Sequence, residues 1–305
     1  MATRERFITR EATRLLSQDR IALVYAFILM LVPYTGWLSL AILALVTLRK
    51  GFAHGGVLVV PVTTAHVILS LLAGVPLSIA LVAALVRVLP CYAAACVLRW
   101  SRRWRLVALA LLMFVLMWAV LLQWFAPHFI QAQYMYLESS LRELESGRVV
   151  LDFWRGLSID SSILAHYLFG FQAVGLVLTT LIPLMFARSI QSRLFYPGEF
   201  HREIVTFRGD KWSVLTLLLF VLGAQQGYVF AIDGLPLVLF YFILAGLSFS
   251  AHMLEKMKPL GTLTVLFAPL MLLPLVVLPV YVILGAFDGL FNFRLYLRQA
   301  ASKAR

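Results

Sequence analysis

An arginine in the middle of an apolar segment is the residue that most clearly indicates a site in this sequence. Arg87 lies about halfway along the apolar residues 75–98. An arginine near the centre of a bilayer costs at least about 2.5–3.5 kcal/mol, so such side chains face protein or water and mark a site by default. Residues 57–98 contain no Asp or Glu. An anionic group on a ligand is therefore the expected partner of Arg87.

The preceding apolar segment, residues 57–73, brings a second titratable group to the same region. Because only a short turn around Gly74 separates the two segments, they must be antiparallel neighbours. At 1.5 Å per residue, His66 and Arg87 lie about 12 and 20 Å from this turn, and a long arginine side chain largely bridges the difference. The predicted substrate-binding residues are the polar residues within or beside apolar segments: Thr63, His66, Arg87, Gln172, Gln225 and Gln226.

Structural explanations for the same residues stay open. Arg87 could bind carbonyl groups near Pro90 or extend its guanidinium to the membrane surface. His66 could make an ordinary hydrogen bond between helices. Gln225 and Gln226 lie near the end of a segment and could face water.

The elements that position these residues follow from composition. Of 305 residues, 62% are hydrophobic and 13% are charged, and the mean hydropathy is +0.92. Soluble domains are roughly 45–50% apolar and about 25% charged. The chain is therefore predicted to be an integral membrane protein. No alternation of period two indicates a transmembrane barrel, which leaves an all-α, polytopic helical bundle.

Eight apolar segments divide the chain. A spanning helix needs about 20 residues, and six segments fit that length. The segments at the two ends are longer and contain prolines, among them Pro33 and Pro274, which break helices. They are predicted to be broken hairpins. The segments are residues 21–48, 57–73, 75–98, 106–126, 163–187, 213–232, 236–254 and 260–290.

Loop charges predict the orientation in the membrane. If the two long segments are hairpins, every basic loop falls on the cytoplasmic side, as the positive-inside rule requires, and the acidic residues 127–162 fall outside. Both termini are then cytoplasmic. The expected organisation is a basic amphipathic surface helix (1–20), a single transmembrane domain (21–290) with the outer amphipathic segment 127–162, and a basic cytoplasmic tail (291–305).

The net charge of +12 bears on partners. In a soluble protein it would suggest nucleic acid, but here the basic residues lie in short loops, where they fix topology and contact anionic lipids. We expect lipid contacts and no nucleic acid. The turn Tyr196-Pro197-Gly198 predicts an ordered 188–212 loop, although a loop that only fixes orientation is the alternative. The predicted lipid or partner contacts are Arg193, Arg202, Arg208 and Lys211.

Several chemistries find no support in the sequence. It has no phosphate-binding glycine loop, no HExxH and no GxSxG. Asp233 is expected in a turn, so intramembrane carboxylate pairs are not predicted. Cys91 and Cys96 point in different directions on a helix and cannot bridge each other. No enzymatic activity, cofactor or metal is predicted.

Short motifs in the later part of the chain carry a resemblance. They are Tyr196-Pro197-Gly198-Glu199-Phe200, Gly246-Leu247-Ser248 with His252, and Gly285-Ala286-Phe287-Asp288. With the outer acidic segment, they resemble the YybS-like family of bacterial membrane proteins, a family of unknown function. That family is grouped with the substrate-binding S components of energy-coupling-factor vitamin transporters. The resemblance implies a bacterial inner membrane and a transporter-like helical bundle.

The predicted function is small-molecule binding or transport, without ATPase activity of the chain's own and with a separate energising or assembly subunit as partner. It is motivated by the broken helices, whose ends can bind ions and polar substrates, and by Arg87. The small molecule is unidentified and is expected to be anionic. The alternative is a structural or assembly membrane protein, and a membrane-embedded enzyme is the third hypothesis. A polar cavity around Arg87 favours the first, and an apolar core favours the second.

Overall fold

The computed structural model describes residues 12–126, 128–144, 151–152, 156, 160–254 and 259–294. Within these ranges every regular element is a helix, which confirms the all-α bundle. The helices are α1 (Asp19–Leu31), α2 (Gly36–Lys50), α3 (Phe52–Leu72), α4 (Leu77–Ser101), α5 (Trp104–Phe125), α6 (Phe129–Glu143), α7 (Ser161–Phe195), α8 (Glu199–Thr206), α9 (Lys211–Gln225), α10 (Val229–Met253), α11 (Pro259–Leu272) and α12 (Pro274–Phe291).

Six of these helices are long and apolar enough to cross a membrane: α3, α4, α5, α7, α10 and α12. The chain is therefore a multi-pass membrane protein. It forms two compact units. The first comprises Met1–Leu111 with Leu176–Ile204, and the second comprises Leu112–Gly175 with Val205–Arg305.

The first predicted hairpin is confirmed. Helices α1 and α2 are separated by residues 32–35, where Pro33 lacks a backbone donor and Tyr34 is left-handed, with φ of 66°. Asp19 at the start of α1 forms an ion pair with Lys50 at the end of α2. The two arms therefore run back alongside each other. With 13 and 15 residues, they measure about 20 and 22 Å, less than a bilayer core of about 30 Å.

The second predicted hairpin is confirmed as well. The chain breaks at Leu273, and Pro274 begins α12. The Tyr281 hydroxyl donates to the carbonyl of Leu266 at 2.8 Å. In a continuous helix these residues would lie about 22 Å apart, so α11 and α12 fold back on each other.

One span boundary differs from the sequence prediction. The segment 213–232 is divided by a turn through Gly227, whose φ is 79°. Helix α9 has 15 residues and ends at Gln225, while Val229 begins α10. Asp233 therefore lies in a helix and is fully buried, not in a turn. The sequence does mark this boundary, because Gln225, Gln226 and Gly227 interrupt the apolar residues there, and Gly after polar residues is a turn signal.

The extramembrane elements are only partly described. Residues 12–17 are helical, and the rest of the predicted surface helix up to residue 11 lies outside the described residues, as does the tail from 295. In the predicted outer segment, α6 buries Ile130 and Tyr134 against Ala165 and Phe169. Asp160 accepts a hydrogen bond from the Ser162 amide at 3.2 Å and begins α7, as its sequence predicts.

Candidate functional site

Three of the polar residues that the sequence places in neighbouring spans lie on adjacent helices of the first unit. Helices α3 and α4 are joined by a short turn in which Gly74 has a φ of 80°. Thr63 and His66 are three residues apart on α3, so they share one face of the helix. Arg87 on α4 interacts electrostatically with His66. All three side chains are half-buried.

The guanidinium of Arg87 reaches the break of the first hairpin. Its Nη2 atom lies 3.4 Å from where a Cβ atom on Gly36 would stand, and the sulfur of Met30 lies 3.2 Å from the same point. Gly36 is the first residue of α2. A methyl group here would be in van der Waals contact with the guanidinium and in a tighter contact with the Met30 sulfur. Arg87 therefore packs against the protein interior at a helix break.

These three residues keep polar atoms without partners. Thr63 Oγ1, His66 Nδ1 and Arg87 Nε are buried and make no hydrogen bond with the described residues. Leaving a buried donor or acceptor unpaired costs about 1–3 kcal/mol, and more for a charged group. Nor does any carboxylate in the described part of the chain pair with Arg87. We call Thr63, His66 and Arg87 the interior polar cluster, and its chemistry suits a small group that accepts hydrogen bonds and carries negative charge.

The other predicted substrate-binding residues lie elsewhere. Gln172, Gln225 and Gln226 belong to the second unit. Their side chains are exposed and make no hydrogen bond with residues that the structure describes. Gln225 ends α9 and Gln226 lies in the turn that follows. The structure therefore supports a shared site only for the three residues of the first unit.

A second polar network surrounds Arg188, which the sequence analysis counted only as a basic loop residue. Arg188 lies near the end of α7 and forms ion pairs with Glu199, at 2.9 Å, and with Glu203. It also donates to Gln191 Oε1 at 2.7 Å. The indole of Trp104 donates to Glu203 at 2.9 Å. The positive charge of Arg188, on α7, is therefore neutralised by the carboxylates of Glu199 and Glu203, on α8.

Next to this network, the first unit contains a cavity of about 210 Å³. It opens where α2, α4 and α7 end. Arginines dominate its lining, which includes Arg49, Arg99, Arg102, Arg188, Tyr196 and Glu199. We call it the arginine cavity. No sequence pattern indicates this cavity, because its residues come from the ends of separate helices.

The second unit contains two polar side-chain pairs that were not predicted. His166 on α7 and Asp233 on α10 lie 2.9 Å apart. Asp288 pairs with Arg294 at 2.9 Å, and Arg294 also donates to the carbonyl of Phe207. The expectation that Asp233 lies in a turn is wrong, because it is buried in α10 beside His166. No group of three His, Cys, Asp or Glu residues in the described ranges could hold a metal ion.

The predicted lipid or partner contacts occupy both units. Arg193 and Arg202 are exposed in the first unit. In the second, Lys211 is exposed and Arg208 is half-buried. The loop that carries them contains α8 and ends at an N-cap, where Asp210 accepts from the Ser213 amide at 2.9 Å. An ordered loop was expected from its turn signal.

Comparison of the chain with family models, with curated proteins and with solved structures finds no match. The resemblance to the YybS-like family stays a prediction.

Proposed function

We propose that this multi-pass membrane protein binds a small anionic molecule at the interior polar cluster. The observation that carries the proposal is the set of three buried polar atoms without partners, on Thr63, His66 and Arg87. An anionic oxygen placed among them would accept hydrogen bonds from the guanidinium and the hydroxyl. It would also supply the negative charge that the neighbouring residues lack.

A comparison inside the molecule favours a ligand over a structural role. Arg188 and Arg294 are buried structural arginines, and each has a carboxylate partner. Buried charges are normally paired in this way because an isolated one is costly. Arg87 departs from the pattern of its own chain, since no described carboxylate pairs with it. A ligand that binds reversibly explains why Arg87 has no carboxylate partner within the described part of the chain.

The position of the cluster at a break between two helices suits a binding site. Arg87 contacts the break between α1 and α2, and both arms of that hairpin are short. Broken helices line the substrate sites of many transporters, because irregular backbone in the membrane is tolerated only beside protein or a cavity. Transport, a separate energising subunit and a bacterial inner membrane are extensions of the proposal. A structural or assembly role is the alternative.

Native mass spectrometry of the full-length protein, purified in mild detergent, tests the proposal. The wild type should retain a small molecule of constant mass. Arg87→Leu should lose at least nine-tenths of it, because the charge partner is gone. Thr63→Val should weaken retention less, because it removes one neutral hydrogen bond. Arg103→Leu removes an exposed arginine from the loop after α4 and should leave retention unchanged.

The structural alternative predicts the opposite pattern. If Arg87 only packs against the hairpin, no molecule is retained by the wild type, and Arg87→Leu raises the thermal unfolding temperature by removing an unpaired charge. Equal retention by wild type and Arg87→Leu would also contradict the proposed site. The same unfolding measurement shows whether the Arg87→Leu protein is folded.

A further inference from the structure

We infer a second ligand site in the first unit: the arginine cavity binds a phosphate group. The phosphate would belong either to an anionic lipid headgroup or to a soluble phosphorylated compound. This site shares no residue with the interior polar cluster, and it goes beyond the function proposed above.

The charge of the lining is strongly unbalanced. Four arginines face one carboxylate, that of Glu199, and Glu199 is already paired with Arg188. None of Arg49, Arg99 and Arg102 forms an ion pair with a carboxylate of the described chain. Such a concentration of positive charge around an open space attracts a counter-ion of high charge density. The cavity is therefore suited to an anion rather than to a neutral or cationic ligand.

The geometry leaves arginine donors available to that anion. Arg99 uses Nη1 to donate to the carbonyls of Leu48, at 2.6 Å, and Thr47, at 3.4 Å, and its guanidinium keeps the three N–H groups on Nε and Nη2. The guanidinium carbon of Arg49 stacks over the Phe195 ring, 3.8 Å from its centroid. Stacking occupies the flat face of the group and leaves its N–H edges for an acceptor. Both arginines are therefore held in place and keep N–H groups that can donate to an anion.

A phosphate fits this arrangement better than a carboxylate. A carboxylate has two oxygens in one plane and is satisfied by one bidentate arginine. A phosphate is tetrahedral, so the three terminal oxygens of a monoester, or the two of a lipid phosphodiester, point toward different arginines. The cavity of about 210 Å³ is several times the roughly 30 Å³ that one water takes in the liquid. Helices α2 and α4 both end here and present carbonyl groups, which repel anions. The attraction must therefore come from the arginine side chains.

The predicted orientation makes both phosphate sources reachable. The cavity lies beside loops 49–56, 99–105 and 188–212, which the positive-inside rule places on the cytoplasmic side. That surface carries the anionic lipids of the membrane and faces soluble phosphorylated compounds. Separate arms of one experiment distinguish these sources.

The experiment uses the double variant Arg49→Gln with Arg102→Gln, and Arg103→Gln as control. Arg103 follows Arg102 in the same loop and does not line the cavity. Arg188 is left intact because it holds the local fold. The lipid arm counts phosphatidylglycerol molecules that stay bound in native mass spectra, after purification from phosphatidylcholine nanodiscs with and without phosphatidylglycerol. The soluble arm titrates glycerol 3-phosphate in phosphatidylcholine nanodiscs and follows the unfolding temperature, with chloride at equal ionic strength as reference.

In at least one arm, the wild type and Arg103→Gln should bind the phosphate compound, and the double variant should bind it at least tenfold more weakly. Lipid retention alone identifies a headgroup site, and a response to glycerol 3-phosphate alone identifies a soluble ligand. No binding by the wild type in either arm overturns the proposal. An equal loss of binding in Arg103→Gln and in the double variant also overturns it, because binding would then depend only on the overall positive charge. Arg87→Leu should keep this binding, so the two proposals fail separately.

Discussion

Replacing Glu203 by glutamine tests whether the Arg188 network holds the arginine cavity together. The side chains of Arg188 and Glu203 are 8% and 14% exposed, so this ion pair is largely out of water. Both Glu203 oxygens accept hydrogen bonds, from Arg188 and from Trp104. A glutamine of the same shape must direct its amide group at one of these donors.

The expected loss of stability depends on the partner that Arg188 keeps after the substitution. Removing one partner of a buried ion pair costs about 3–5 kcal/mol. Glu199 still neutralises Arg188 after the change, which lowers our estimate to about 2–3 kcal/mol. Glu199→Gln is the matched comparison. Its side chain is 39% exposed, and an exposed pair contributes about 0–1 kcal/mol.

Thermal unfolding of the two variants in the same detergent, followed by tryptophan fluorescence, measures the difference. At about 2–4 °C per kcal/mol, Glu203→Gln should lower the midpoint by about 4–12 °C and Glu199→Gln by at most about 4 °C. Glu203→Gln should lower it at least twice as far. Equal midpoints for the two variants, or a change below about 1 °C for Glu203→Gln, would refute the reasoning.

Two further predictions concern packing and orientation. Gly246→Ala should lower stability by about 1–3 kcal/mol in thermal unfolding, because its new methyl carbon would lie 2.0 Å from the Tyr281 carbonyl oxygen. Gly175→Ala, where nothing lies within 4 Å, should leave stability equal or higher, and a similar loss in both would contradict the close contact between α10 and α12. In a variant without the two native cysteines, Ser139→Cys should react with a membrane-impermeant thiol reagent in intact cells, and Ser17→Cys only after lysis. Labelling of both from one side would reject the predicted topology.

The sequence by itself determined the class and the helix plan of this protein. An apolar chain in lipid must satisfy its backbone hydrogen bonds internally, so a hydrophobic fraction of 62% leaves helices as the solution. The two end segments are longer than one span needs and also contain prolines, so both hairpin breaks were predictable, whereas prolines such as Pro61 and Pro90 lie within continuous helices. The encounter of His66 and Arg87 was predictable too, because a short turn forces consecutive helices to be neighbours.

The tertiary structure alone decided the rest of the candidate sites. The Arg188–Glu203 pair and the arginine cavity join residues from different helices, and hydropathy is a local quantity that carries no information on such pairings. The place of Asp233 inside α10, next to His166, was missed because the apolar segment 213–232 was treated as one span across the polar turn Gln225-Gln226-Gly227. Gln172 was predicted with the interior polar cluster and is exposed in the second unit. The sequence shows that a polar residue lies within an apolar segment and that its burial is therefore costly. Which residue it pairs with depends on how the helices pack.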